Sequence, residues 1–131
     1  QDFNPARHCS LLWALRIRLV LLMAEDVIVP STDLYNYCRA VLQHDGVDAG
    51  IAAEVAHHLV EANLFGHDSH GVGMLPQYCS NLARGRCRGH GTPKEIRQEG
   101  AVLVMDAEKL FGQSALRQAV ECAARVAKEH G

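Results

Sequence analysis

Aromatic residues make up only 5% of this chain, and neither sign of charge dominates: thirteen Lys and Arg stand against fifteen Asp and Glu, for a net charge of −2. A general nucleic-acid binder draws on a basic excess that is missing here, and a stacking platform for single strands needs rings the chain does not supply. The five cysteines (Cys9, Cys38, Cys79, Cys87 and Cys122) form no C-x-x-C pair. Their odd number and irregular spacing exclude a disulfide framework and a structural zinc site, and point to a reducing compartment, the cytoplasm. Long apolar runs are also lacking. The longest, residues 11–23, is interrupted by Arg16 and Arg18. It falls short of the roughly 20 apolar residues that cross a bilayer, and no A-x-A site follows it as a signal peptide requires. What remains is 131 residues, 48% hydrophobic and 21% charged, the balance of a globular chain of one domain or of a piece of something larger.

The first 22 residues differ in texture from the rest. Leu, Arg and Val crowd around the only Trp, and a start signal, Met23-Ala24-Glu25-Asp26, comes afterwards. The expectation is that residues 1–22 are a leader or a sequence artefact and that Met23 is the natural initiator. The competing reading is an N-terminal helix packed on the body.

From Pro30 onwards the pattern is helical. Ser31 or Thr32 is placed to cap a helix, with Asp33 in its first turn. Leu34, Tyr37, Cys38, Val41 and Leu42 recur at helical spacing, and Gly46 stops the run. Asp48 opens a second helix with Ile51, Val55, Leu59 and Val60 on one face, closed by Gly66. A third helix runs from about Met74 to Arg84 with Leu75, Tyr78, Cys79 and Leu82 inward, closed by Gly85. A glycine-rich loop (residues 85–93) follows, and then the period changes. Residues 95–99 and 101–106 read as two short strands around Gly100. A long helix from Gly112 carries a small-residue face of Ala115, Leu116, Ala119, Val120, Ala123, Val126 and Ala127, with Gly131 as its cap. Two strands make no stable sheet alone, so the sheet is expected to continue past Gly131 and the chain to be truncated.

The densest polar cluster is Gly66-His67-Asp68-Ser69-His70-Gly71-Val72-Gly73, between the second and third helices. Its glycines imply a tight bend with exposed backbone, a place where functional groups sit on a rigid scaffold; the plain alternative is a polar interhelical turn. As a metal site, His67-x-x-His70 is weak: eight histidines in this length make such a pair an ordinary coincidence, and no third ligand lies nearby. No metal is expected. A hydrolase elbow, G-x-S-x-G, fails because His67 stands where glycine is required. Ser69 and His70, adjacent in sequence, need not face each other as a nucleophile and base do. A dinucleotide fingerprint fails too: Gly71-x-Gly73 and Gly89-x-Gly91 each lack the third glycine and neither follows a strand. The basic loop of Arg84, Arg86, Arg88 and His90 can meet a phosphate or simply be solvated.

The run Glu61-Ala62-Asn63-Leu64-Phe65-Gly66-His67-Asp68-Ser69-His70-Gly71-Val72-Gly73-Met74-Leu75-Pro76-Gln77-Tyr78 strongly resembles the malate/L-lactate dehydrogenase family that lacks a Rossmann fold, and looks closest to its hydroxycarboxylate dehydrogenase (2-oxo acid reductase) branch. Gly85, Pro93, Val104-Met105-Asp106 and Phe111-Gly112-Gln113 agree with it in order, from about Val27 to Gly131. The resemblance implies an α/β fold of which this chain is a mainly α fragment. Residues 23–94 would form an α-helical N-terminal domain, and residues 95–131 the first strands and helix of a truncated, mixed-sheet NAD(P)-binding domain. It implies hydride transfer between NAD or NADP and a small-molecule 2-oxo or 2-hydroxy acid, with no nucleic acid or membrane partner and a homodimer when full length. Ser69 and His70 become the catalytic pair. His70 would contact the nicotinamide cofactor or the substrate oxygen, where negative charge develops, and an imidazole can pass the proton.

One position departs from the malate and lactate branches. Four residues after the motif histidine, where many relatives carry Arg or His, stands Met74. Arg would grip a carboxylate bidentately; Met offers a soft apolar wall. That implies a bulkier 2-oxo acid, aromatic ones included. Family members are two to three times longer, so the fragment alone is expected to be inactive. The rival from another class is a non-catalytic helical interaction module left by truncation.

Overall fold

The computed structural model describes residues 27–130. Residues 1–22, Met23 and Gly131, and the expectations attached to them, lie outside the described residues. Four helices, two short 3-10 turns and one hairpin follow in order: α1 (Ser31–His44), α2 (Ala49–Leu64), the turns Asp68–His70 and Val72–Met74, α3 (Leu75–Ala83), β1 (Lys94–Glu99), β2 (Val102–Asp106) and α4 (Gly112–His130). The chain is thus mainly helical with a two-stranded sheet, as the sequence implies. Among the described residues no helix is long and apolar enough to cross a membrane.

The core is built from α1 and α2. Cys38 and Leu42 face Ile51, Ala52, Val55, Ala56 and Leu59, joined by Val47, Leu75, Leu110, Phe111 and Ala115 in one buried cluster. The i, i+4 spacing of Ile51, Val55 and Leu59 makes an apolar stripe, and Ala52 and Ala56 let the neighbouring helix approach closely. Two details of α1 differ from expectation. Its cap is Pro30, whose carbonyl accepts from the Asp33 and Leu34 amides at 3.0 Å each, so Ser31 lies inside the helix and no side chain caps it. Tyr37 stays 61% exposed, because α1 buries only the narrow Cys38–Leu42 stripe. Tyr35 packs against the core in its place and carries the Arg39 guanidinium over its ring.

The three helix-closing glycines act as read. At the end of α2, Gly66 adopts φ +77, its amide donates to Asn63 O at 3.0 Å, and the His67 amide donates to Ala62 O at 2.7 Å. This paired closure ties off the last carbonyls and needs the left-handed backbone that glycine adopts without strain. The same bond pattern closes α1 at Gly46 and α3 at Gly85.

The hairpin pairs Lys94 with Asp106 and Glu99 with Val102, antiparallel, with a bulge at Ile96. The second strand begins at Val102 rather than Ala101, which joins Gly100 in the turn. Two backbone bonds tie this region to the helices: the Asp48 amide donates to Gly89 O and the Arg88 amide to Lys109 O, both at 2.8 Å. Gly89 is essential to that approach, since a Cβ there would lie 2.8 Å from the Val47 Cα. Helix α4 docks through buried Ser114 and Ala115 and through Arg117, which pairs with Glu54 of α2. The anticipated small-residue face is only partly covered. Ala115 and Val126 are buried, whereas Leu116 and Val120 are 66% and 59% exposed. The helix lies against both α2 and β2, and Leu116 and Val120 fall on the side that neither covers.

Candidate functional site

The chain leaving α2 does not run straight into α3. Residues 68–74 wind through two successive 3-10 turns, which place Asp68, Ser69 and His70 on the surface while Gly71 is buried. Local bonds hold the shape: the His70 amide donates to His67 O at 2.9 Å, Gly71 to Asp68 O at 3.1 Å and Met74 to Gly71 O at 2.9 Å. Pro76 lies in the first turn of α3, where a missing N–H costs no helical bond.

Ser69 and His70, which adjacency alone left free to diverge, are brought together. Ser69 Oγ lies 3.0 Å from His70 Nδ1. With Nδ1 engaged, Nε2 is the ring nitrogen that remains to meet a ligand. If the hydroxyl donates, the proton of the neutral ring sits on Nε2; if Nδ1–H donates, Nε2 is an acceptor. The pair therefore presents one atom able to give or take a proton, on the exposed side of a fixed turn.

One residue with no assigned role in the sequence organises this turn. Asn63, in the last turn of α2, accepts from the Val72 amide through Oδ1 at 2.8 Å and donates through Nδ2 to Asp68 Oδ1 at 2.6 Å. The orientation of its amide is dictated, since a backbone N–H only donates and a carboxylate accepts. Gly71 makes room for it: a Cβ at that position would collide with the Asn63 side-chain amide. A short amide at the end of an otherwise apolar-faced helix, followed by a glycine-rich bend, is the signal that points to such side-chain-to-backbone bonding.

Among the described residues the other sequence candidates make no hydrogen bond or ion pair with Ser69 or His70. Met74 is half-buried and packs against the core, so only part of its side chain is open to a ligand. Arg88 pairs through Nη1 with Glu108 at 3.4 Å, a carboxylate also held by Lys94 at 2.9 Å, while its Nε is buried without a hydrogen-bond partner; Arg84, Arg86 and His90 are exposed. His57 pairs with Glu61 at 3.3 Å on α2. No group of three metal-ligating side chains forms among the described residues. Beyond the turn, Gln113 Nε2 donates to the Tyr78 hydroxyl at 3.0 Å and the Tyr78 and Phe111 rings meet edge-on, joining the start of α4 to α3.

Comparison with known proteins identifies the lineage. A family model described as malate/L-lactate dehydrogenase matches residues 29–131. The chain belongs to the malate/L-lactate dehydrogenase family. Hydroxycarboxylate dehydrogenase B of Escherichia coli is 36% identical over 98 residues, 75% of this chain and 27% of that protein. L-lactate dehydrogenase of Cupriavidus necator is 32% identical over 103 residues, 79% of this chain and 30% of that protein. Among solved structures, malate dehydrogenase from Pyrococcus horikoshii superposes with a TM-score of 0.75 at 30% identity, covering 80% of this chain and 30% of that one. The chain thus spans less than a third of the length of these relatives. The match to the malate/L-lactate dehydrogenase family takes in α1 to α4 and the Ser69–His70 turn between them.

Proposed function

We propose that this chain supplies one wall of an oxidoreductase site that moves a hydride between NAD or NADP and a 2-oxo or 2-hydroxy acid. The observation that carries the reading is the exposed Ser69–His70 pair, 3.0 Å apart, on a clamped turn in a member of a dehydrogenase family. The pair fits a nicotinamide and an oxo acid: an exposed imidazole edge beside a hydroxyl can donate to a carboxamide or to a carbonyl oxygen. Bound nicotinamide would supply the hydride for the carbonyl carbon. As the imidazolium, His70 gives the matching proton from Nε2 to the carbonyl oxygen, where negative charge gathers, and is left neutral with its proton on Nδ1. Ser69 Oγ holds Nδ1, keeps the ring in one orientation and accepts from Nδ1–H once Nε2 has lost its proton.

The open part of Met74, four residues after His70, offers an apolar surface and no charge, which favours a bulky 2-oxo acid over a dicarboxylate. In this reading residues 23–94 are the helical domain and residues 95–131 open the cofactor domain. The complete enzyme is a cytoplasmic homodimer, in keeping with the free Cys38, Cys79, Cys87 and Cys122.

The test is steady-state oxidation of NADH and NADPH with phenylpyruvate and oxaloacetate, in a chain that supplies the rest of the family's length. Ser69→Ala and His70→Ala are each expected to lower kcat/KM at least about tenfold, or ~1.4 kcal/mol. Normal rates in both would overturn the assignment. The 131-residue chain alone is expected to show no turnover, because catalysis by positioning loses about a hundredfold for a misplacement on the order of 1 Å.

A further inference from the structure

We infer that Asn63 is a positioning residue for the Ser69–His70 pair, and that it works as a unit with Asp68 and Gly71. The inference rests on the functional reading above and deepens it. Asn63 grips the polypeptide on both sides of the pair: Asp68 lies immediately before Ser69, and Val72 follows His70 by two residues. The two bonds, 2.6 Å to Asp68 Oδ1 and 2.8 Å from the Val72 amide, close a clip across a five-residue arc. The clip is anchored in α2, whose buried face is part of the core. Gly71 is the position in the arc where a side chain would displace the clip. The backbone bonds of the 3-10 turns are local to the arc, and apart from the packing of Val72 against the core it is Asn63 that ties the arc to α2. The clip fixes the arc to a rigid helix on both sides of the pair, which is the condition for holding a proton-transferring nitrogen in place.

The bond polarity makes the inference testable by exchange of partners. Asp68→Asn is expected to be mild, within about threefold in kcat, because the new amide oxygen still accepts from Asn63 Nδ2. Asn63→Asp is expected to be severe, because it sets two carboxylates against each other at bonding distance. The double variant Asn63→Asp/Asp68→Asn restores the clip with reversed polarity: the carboxylate at 63 accepts from Val72 and from the new amide at 68. Its kcat is expected to recover to within about threefold of the parent. Asn63→Ala and Gly71→Ala should each lower kcat by about tenfold or more, with KM changing less, as for a lost transition-state interaction.

A second measurement needs no turnover. In the 131-residue chain, amide hydrogen exchange at Val72 should speed up about tenfold or more in Asn63→Ala, as its acceptor is removed, and return in the double variant. Unchanged Val72 exchange in Asn63→Ala overturns the clip. So does a double variant that stays as impaired as Asn63→Asp. Normal turnover in Asn63→Ala, with Ser69→Ala and His70→Ala impaired, overturns the positioning role and leaves the functional reading standing. Normal turnover in Ser69→Ala and His70→Ala overturns that reading and the catalytic meaning of the clip with it.

Discussion

The two halves of the described chain solve the burial problem differently. In α1 and α2 the large apolar side chains find each other: Leu42, Val55 and Leu59 are at most 1% exposed. In the hairpin and α4, Ile96, Val102, Leu116 and Val120 are each about 60% exposed or more. The second half is nonetheless well formed, with a regular register and a 19-residue helix. The difference teaches that local pattern suffices to make elements, whereas burial requires a neighbour of the right shape. The candidate site belongs to the first half. Its turn is rooted in the element with the most complete packing, which suits a group that must be held still.

The contrast can be broken most strongly by truncating one side chain in each half. Leu59→Ala is expected to cost ~2–5 kcal/mol through lost transfer free energy and a cavity. Leu116→Ala, on the uncovered stripe, should stay within about 0.5 kcal/mol. Urea denaturation of the chain measures both, and equal losses would show that α4 is as firmly seated as α2.

Gly89→Ala tests the joint between the halves. The new Cβ would meet backbone at the Val47 Cα, 2.8 Å away, and overpacking of this kind costs ~1–3 kcal/mol. Hydrogen exchange should show the larger loss of protection in the hairpin and α4. A uniform loss, or none, would mean that the Gly89–Val47 contact does not join them.

The smallest effect is a pH dependence confined to the first half. Cys79 is pushed up from 9.0 to about 11, by burial first and then by its bond to the Asp45 carboxylate. That bond in turn lowers Asp45. Burial also raises Cys38 and Cys87. Between pH 9.0 and about 11 the unfolded chain releases the Cys79 proton while the folded chain keeps it. The unfolded state then binds fewer protons, so stability falls as pH rises through that window and is unaffected by this group below it. Urea midpoints measured across the window should fall, and Cys79→Ser should flatten the fall. An unchanged slope in that variant would place the alkaline sensitivity elsewhere.

Much of this molecule was legible from the residues. Apolar spacing in 51–60 dictates an amphipathic helix, and Gly46, Gly66 and Gly85 stop three helices because left-handed backbone is cheap only for glycine. The polar cluster at 66–73 marked the candidate site for the same local reason. Other features depend on how neighbouring and distant groups meet in space, which no periodicity encodes. Pro30 rather than Ser31 caps α1 because of how the chain enters the helix. The facing of Ser69 and His70 follows from the double 3-10 turn. Asn63 acquires its role only when the bend folds back on α2, since a side chain eight positions before Gly71 has no reason to touch it in an extended chain. The exposure of Leu116 and Val120 was likewise decided by tertiary structure. A helical stripe is written in the sequence of the helix, but whether it is buried depends on what lies against it.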